Sequence, residues 1–108
     1  MNTRIDNNAE IKSIIDVILS TVPALEIYLF GSWTTGTESD DSDYDFYVVL
    51  PDDGMRAREA TWKIQNAIKN RSPGIDMLVN TKSRFDKYKN SLSFIESDVV
   101  KTGVKLYG

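Results

Sequence analysis

The chain has 108 residues, of which 41% are hydrophobic, so it is long enough to bury one compact core and too short for two. It contains neither cysteine nor histidine, which excludes disulfides, thiolate and imidazole metal ligands, and histidine-based acid–base chemistry. Its net charge of -3 is unevenly distributed, because residues 1–55 hold 11 acids and 2 bases whereas residues 56–108 hold 5 acids and 11 bases. We predict a single domain over residues 1–108, in which any catalysis uses carboxylates, hydroxyls, amines and a hard metal ion.

The sequence carries no pattern typical of export or membrane insertion. Met1–Asp6 mixes acidic and amide residues, which a signal peptide lacks. No apolar stretch approaches the roughly 18 residues of a membrane span. We therefore expect a cytoplasmic protein without a membrane segment.

The first elements are predicted from apolar periodicity. Isoleucines recur at helical spacing from Asn7 to Ser20, and Asp6 or Asn7 would cap this helix. Leu25–Phe30 is apolar and rich in β-formers, which predicts a buried strand that ends at Gly31. A helical turn over Ser32–Gly36 and a polar loop follow.

The next elements begin with a second strand over Asp43–Leu50, which Pro51–Gly54 interrupts. A helix then runs to about Asn70, and Ile75–Asn80 reads as a third strand. The predicted inner stripe of that helix comprises Met55, Ala60, Ile64, Ala67 and Ile68.

A last helical region is predicted over Ser83–Thr102, with a break near Asn90, a stop at Gly103 and a short extended tail. The order of elements indicates an α/β (α+β) fold in which helices flank a small mixed sheet.

Two aspartates, Asp43 and Asp45, stand two residues apart at the head of the second predicted strand. Side chains at i and i+2 of a strand share a face, so the carboxylates would lie side by side while Tyr44 and Phe46 face the other way. Such a pair repels unless a cation lies between the two groups, and Mg²⁺ binds one or two carboxylates together with water and substrate phosphates. The pair predicts a metal site, and Asp76 occupies a similar place on the next strand.

Two other motifs are excluded at named positions. Gly31 and Gly36 have the glycine spacing of a P-loop, but Thr37 and Glu38 stand where that motif needs lysine and a hydroxyl residue. The alternating acids also suggest an EF-hand, but Phe46 stands where its invariant glycine belongs.

The ordered set Gly31-Ser32, Ser42-Asp43-Tyr44-Asp45-Phe46 and Asp76 resembles the signature of the polymerase-β-like nucleotidyltransferase superfamily. The short length and the ending Gly103–Tyr107 are similar to the minimal nucleotidyltransferases, or MNT proteins. The resemblance implies ATP as substrate and two Mg²⁺ ions, both held by Asp43 and Asp45 and one by Asp76. It also implies nucleotide binding by Gly31, Ser32 and Ser42, although Ser42 could equally cap the turn.

The resemblance further implies a biological role, because minimal nucleotidyltransferases are often paired with a small helical HEPN protein and act as antitoxins by transferring AMP to it. We expect transfer to a hydroxyl, on a tyrosine of such a partner, within a hetero-oligomer or homodimer. A pI of about 4.8 argues against a nucleic-acid partner. Trp33, Trp62 and Tyr88 are candidate exposed aromatics for a protein interface.

The segment Trp33–Thr35 departs from the family pattern, because minimal members usually carry an arginine there. Lys82 and Arg84 are candidates to supply the missing charge. Two alternatives therefore remain open: a non-catalytic module that neutralises its partner by contact, and nucleotidylation of a small molecule.

Overall fold

A four-stranded mixed sheet forms the centre of the fold in the computed structural model, which describes residues 8–36, 43–68 and 74–108. The elements in chain order are α1 (Ala9–Thr21), β1 (Glu26–Phe30), α2 (Ser32–Thr35), β2 (Tyr44–Leu50), α3 (Ala57–Ile68), β3 (Ile75–Thr81), α4 (Lys82–Tyr88), α5 (Ile95–Thr102) and β4 (Val104–Tyr107). Within the described residues no helix is long and apolar enough to span a membrane.

The strand order is β3-β2-β1-β4, with β1 antiparallel to both neighbours and β2 parallel to β3. A parallel pair requires a crossover connection, which α3 supplies between β2 and β3. The predicted α+β architecture with a small mixed sheet is confirmed. The segment predicted as an extended tail is part of the sheet, because it forms the edge strand β4 along β1.

The first face of the sheet is covered by α1 and α3 and holds the larger core. Its buried members from the helices include Ile11, Ile14, Ile18, Ala60, Ile64 and Ile68, and those from the strands include Ile27, Leu29, Phe46, Val48 and Leu50. The prediction that Ala67 belongs to the inner stripe of α3 is wrong, since this residue is exposed. The buried stripe follows a spacing of four residues, so it drifts around the helix and leaves Ala67 at its margin.

The second face carries a smaller core under α4 and α5, formed by Tyr47, Val49, Phe85 and Val99. The Phe85 ring lies 5.4 Å from that of Tyr47. The Tyr47 hydroxyl donates a 2.6 Å hydrogen bond to Glu96, whose side chain is fully buried. Burial and this carboxylate raise the pKa of Tyr47, so the phenol stays protonated and keeps the buried carboxylate hydrogen-bonded.

The first helix begins later than the sequence predicts, and the last helical region breaks where the sequence predicts. Asn8 caps α1, because its side-chain oxygen accepts the N–H of Ile11 at 3.0 Å, whereas Asp6 and Asn7 lie outside the described residues. The predicted break in the last helical region is confirmed, since α4 ends at Tyr88 and α5 begins at Ile95.

Candidate active site

The acidic residues come together because β2 and β3 are parallel and in register. Asp45 pairs directly with Asp76 across the two strands, and Asp43 precedes β2 by one residue. Tyr44 and Phe46 are buried in the core of the first face, so Asp45 projects from the second face as the alternation predicts. The structure therefore brings Asp45 and Asp76 side by side, with Asp43 next to them.

The electrostatics of this group favour a cation. Asp45 is half-buried, whereas Asp43 and Asp76 are exposed. Burial, a hydrogen bond to Asp76 and the negative charges of Asp76 and Asp43 raise the pKa of Asp45 to about 6. A cation held between these carboxylates would relieve both the repulsion and the cost of burying charge.

Two glycines make room for the carboxylates. Gly31 follows β1, has φ of 80°, and a Cβ there would overlap the Asp45 carboxylate. A Cβ on Gly74 would stand 2.7 Å from Oδ1 of Asp43. Gly74 also accepts the backbone N–H of Tyr44 at 3.0 Å, which fixes the start of β2. Gly31 belongs to the predicted motif, whereas Gly74 could not be predicted, because its contact with Asp43 is not visible in the sequence.

The short helix α2 begins at Ser32, directly after Gly31. Its first turn is closed by Thr34, whose N–H and hydroxyl both donate to the Gly31 carbonyl at 3.0 Å. The backbone of Ser32 is thus next to the glycine that contacts Asp45. The role of Ser32 in binding phosphate stays a prediction, and Ser42 lies outside the described residues.

The prediction that Trp33 is an exposed aromatic is wrong. Its side chain is buried and stacks on Tyr44, with ring centroids 4.9 Å apart. The Tyr44 hydroxyl in turn accepts a 3.2 Å hydrogen bond from Asn8. Trp33 therefore ties α2 to the strand that carries Asp45. Tyr88 is also less exposed than expected, because its ring stacks on Phe94 at 4.1 Å.

Lys82 and Arg84, the candidates for the missing positive charge, are engaged elsewhere. Lys82 contacts Glu26 at 2.8 Å and Asp86 at 3.2 Å. It lies just beyond the carboxyl end of β3, about 20 Å along the strand from Asp76 at ~3.3 Å per residue. Arg84 contacts Glu96 at 3.5 Å and lies over the Tyr88 ring. These contacts contradict the expectation that Lys82 supplies positive charge to the site. They also pair Arg84 with a buried carboxylate.

The residues present fit a divalent cation that is held partly by its substrate. Among residues 8–36, 43–68 and 74–108, no three acidic side chains converge closely enough to hold a metal ion by themselves. Mg²⁺ requires fewer protein ligands, since one or two carboxylates suffice when water and phosphate oxygens complete its coordination shell. The contact between Asp45 and Asp76, together with the raised pKa of Asp45, meets that need.

Comparisons with known proteins agree with this fold. The nucleotidyltransferase domain model matches residues 11–105. A protein from Sulfolobus solfataricus that is inferred to be a nucleotidyltransferase is 25% identical, with a TM-score of 0.59 over 87% of this chain and 73% of that one. A toxin-antitoxin structure with AMP-PNP is also 25% identical, with a TM-score of 0.59 over 90% of this chain and 72% of that one.

A mutant of the toxin-antitoxin MntA-HpeT shares the fold at 23% identity and a TM-score of 0.58, over 90% of this chain and 72% of that one. No curated protein gives a significant match. Because the family model covers most of its length, the chain belongs to the nucleotidyltransferase domain family.

Proposed function

We propose that this nucleotidyltransferase transfers AMP from ATP to a hydroxyl group of a small helical partner protein of the HEPN type, and that it acts as the antitoxin of that pair. The observation that carries the proposal is the contact between Asp45 and Asp76 beside Gly31. Two adjacent carboxylates next to a glycine turn, of which Asp45 has a raised pKa, are suited to a metal-bound triphosphate.

Each site residue has a definite part in the proposed reaction. The acceptor oxygen attacks the α-phosphorus of ATP, the bond to the bridging oxygen breaks, and pyrophosphate leaves. Asp76, at the exposed edge of the pair, takes the proton of the acceptor hydroxyl and passes it to water. Asp43 and Asp45 would hold both Mg²⁺ ions and Asp76 one of them, and the backbone after Gly31 together with Ser32 would bind the β- and γ-phosphates.

Mg²⁺, as two ions in this proposal, would neutralise the triphosphate and lower the pKa of the attacking hydroxyl. The chain's own contribution is the rigid placement of its carboxylates. Asp45 lies within β2, between two hydrogen-bonded strands, so the sheet holds its backbone beside that of Asp76. A preformed arrangement of this kind needs no reorganisation when charge develops.

The partner is proposed from the relatives rather than from a contact. Two similar structures are toxin-antitoxin proteins, and one of them was solved with AMP-PNP, a non-hydrolysable ATP analogue. We propose that this chain works as a single domain in the cytoplasm, where it meets ATP and a partner toxin.

A second candidate is a module that retains the fold but neutralises its partner by contact alone. The observation that favours it is the absence of a base from Trp33–Thr35. Lys82 and Arg84 do not compensate, because each is already paired with an acid. Without a nearby base, the charge of a bound triphosphate would be balanced by metal ions alone.

The test is incubation of the purified chain with α-labelled ATP, Mg²⁺ and the product of the adjacent reading frame. Label should pass to that protein with the wild type and should fall at least a hundredfold with Asp43→Asn, Asp45→Asn and Asp76→Asn. Asp16→Asn, which alters an exposed acid of α1, outside the carboxylate site, is the matched control. Transfer that survives the site substitutions contradicts the catalytic proposal, whereas neutralisation without any transfer favours the contact module.

A further inference from the structure

The outer surface of α3 presents a tryptophan to solvent. Trp62 is 65% exposed, which is the largest exposure of any aromatic side chain in the part of the chain that the structure describes. It lines an open depression of about 460 Å³ together with Arg56, Arg58 and Glu59. A large indole ring left in water loses the free energy that its burial would provide, which makes this surface a candidate contact.

The charges around Trp62 are not internally balanced. Within the described residues neither Arg56 nor Arg58 makes an ion pair, and both side chains are exposed. Glu59, the one acid of the depression, is instead paired with Lys63 at 3.4 Å. The carbonyl of Arg56 accepts the N–H of Ala60 at 2.9 Å, so the first turn of α3 holds both arginines close to the ring. The depression is thus an apolar floor beside two unpaired guanidinium groups.

We infer that this surface, formed by Arg56, Arg58 and Trp62, binds an acidic segment of a partner protein that also carries an apolar side chain. The apolar side chain would cover Trp62, and carboxylates would pair with the two guanidinium groups in the bidentate geometry that arginine favours. Tryptophan and arginine are also the residues most enriched among those that dominate binding energy at protein interfaces. The inference deepens the proposed function, on which it rests, by stating the chemistry of the partner.

A protein segment fits this surface better than a nucleic acid does. Binding to nucleic acid draws most of its affinity from many neutralised phosphates, and among the residues that the structure describes this surface offers two unpaired cations. The chain as a whole carries a net charge of -3, and Asp52 and Asp53 lie a few residues before Arg56. These acids would repel a polyphosphate strand that extends beyond the depression.

The surface is remote from the acidic site. α3 covers the first face of the sheet, whereas Asp45 projects from the second face. Asp45 also lies five residues before the end of β2, about 17 Å along the strand, and α3 begins only after that end. A partner bound at Trp62 therefore leaves the nucleotide site open. Docking should set the affinity for the partner, and the carboxylates should set the rate of transfer.

The first test titrates the full ¹⁵N-labelled chain, without nucleotide or metal, with three probes followed by NMR. The probes are a twelve-residue peptide of glutamate, aspartate and two leucines, the same peptide with lysine in place of each acid, and a twelve-residue oligothymidylate. The acidic peptide should shift the indole N–H signal of Trp62 saturably, and the other two should not. Trp62→Ala and Arg58→Glu should weaken its binding at least tenfold. Gln65→Ala, an exposed change on the same helix outside the depression, should bind like the wild type.

The second test measures AMP transfer to the product of the adjacent reading frame. Trp62→Ala and Arg58→Glu should raise KM for that protein at least tenfold and leave kcat within twofold. Equal binding of the lysine peptide, tighter binding of the oligothymidylate, or unchanged binding by both variants would overturn the inference. Because the peptide titration involves no catalysis, it decides the docking surface even when the transfer assay fails and the proposed function falls.

Discussion

Asp45 and Asp76 lie opposite one another in adjoining parallel strands, and burial, together with this neighbouring carboxylate, raises the pKa of Asp45 to about 6. At neutral pH the Asp45 carboxyl is therefore ionised at a cost to the fold. The chain tolerates that cost because the register of β2 and β3, which is set by the core on the other face, holds both residues in place. Groups that destabilise the fold in this way are typical of functional sites.

Asp45→Asn should consequently stabilise the metal-free protein while abolishing transfer. The amide removes the buried charge, and we expect the free energy of unfolding to rise by about 1 to 2 kcal/mol at pH 7.5 once solvent screening is allowed for. Urea denaturation in EDTA measures the change. Mg²⁺ with ATP should then raise Tm for the wild type and not for the variant. A variant that is less stable than the wild type in EDTA would show that the carboxylates do not strain the fold.

Gly31→Ala should be far more damaging than Gly36→Ala, although the two glycines have almost the same backbone angle. Their φ values are 80° and 79°, so each substitution carries a conformational cost of about 1 kcal/mol. A Cβ at Gly31 also overlaps the Asp45 carboxylate, whereas nothing lies within 4 Å of a Cβ at Gly36. We expect a total loss of about 2 to 4 kcal/mol for Gly31→Ala, measured by urea denaturation. Equal losses for the two variants would contradict the contact with Asp45.

Tyr47→Phe should destabilise the second face through Glu96. The fully buried Glu96 accepts from the Tyr47 hydroxyl, and its Oε1 has no hydrogen-bond partner among the described residues. Loss of the hydroxyl leaves Arg84 as the contact of Oε2, so we expect a cost of about 2 to 3 kcal/mol. A double-mutant cycle with Glu96→Gln should give a coupling of about 1 to 2 kcal/mol. Tyr107→Phe, at an exposed position, is the control and should be neutral.

Glu26 should make the fold sensitive to acid. Burial opposes its ionisation, but hydrogen bonds from Lys82, Tyr28 and Lys105 outweigh burial and lower the pKa of Glu26 to about 2. A lowered pKa stabilises the fold above the ordinary value of 4.5, and that stabilisation is lost as pH falls from 4.5 towards 2. Glu26→Gln should therefore cost about 1 to 3 kcal/mol at pH 7 and progressively less below pH 4.5.

The measurement for Glu26 is Tm against pH for the wild type, Glu26→Gln and Glu59→Gln. Glu59 is the matched control, because it forms an exposed i,i+4 pair with Lys63 and such pairs contribute little. The difference in Tm between the wild type and Glu26→Gln should shrink across the acid range, while Glu59→Gln should follow the wild type. A difference that stays constant with pH would show that Glu26 acts through packing rather than charge.

The sequence was sufficient for the features that depend on local pattern. Alternation in β2 predicted that Asp45 would face away from Tyr44 and Phe46, and four-residue spacing predicted Ala60 and Ile64 in the core. Features that depend on contacts distant in the chain were missed. The burial of Trp33 depends on stacking with Tyr44 eleven residues later, and the burial of Glu96 depends on Tyr47 in another element.

The same limit applies to charged side chains. Lys82 follows the strand of Asp76 closely in sequence, which suggested a role at the site. An extended strand moves the chain about 3.3 Å per residue, so a short sequence interval becomes a long distance in space. The pairing of Lys82 with Glu26 could be recognised only once β1 and β3 were placed in one sheet.

The two faces of the sheet carry cores of unequal size, and this affects which substitutions the protein can tolerate. Among the described residues, the buried cluster of the first face does not include the carboxylates. Substitutions on the second face beside Asp45 would therefore leave the larger core intact. An engineer who wished to retarget the enzyme would vary the second face and leave the isoleucines of α1 alone.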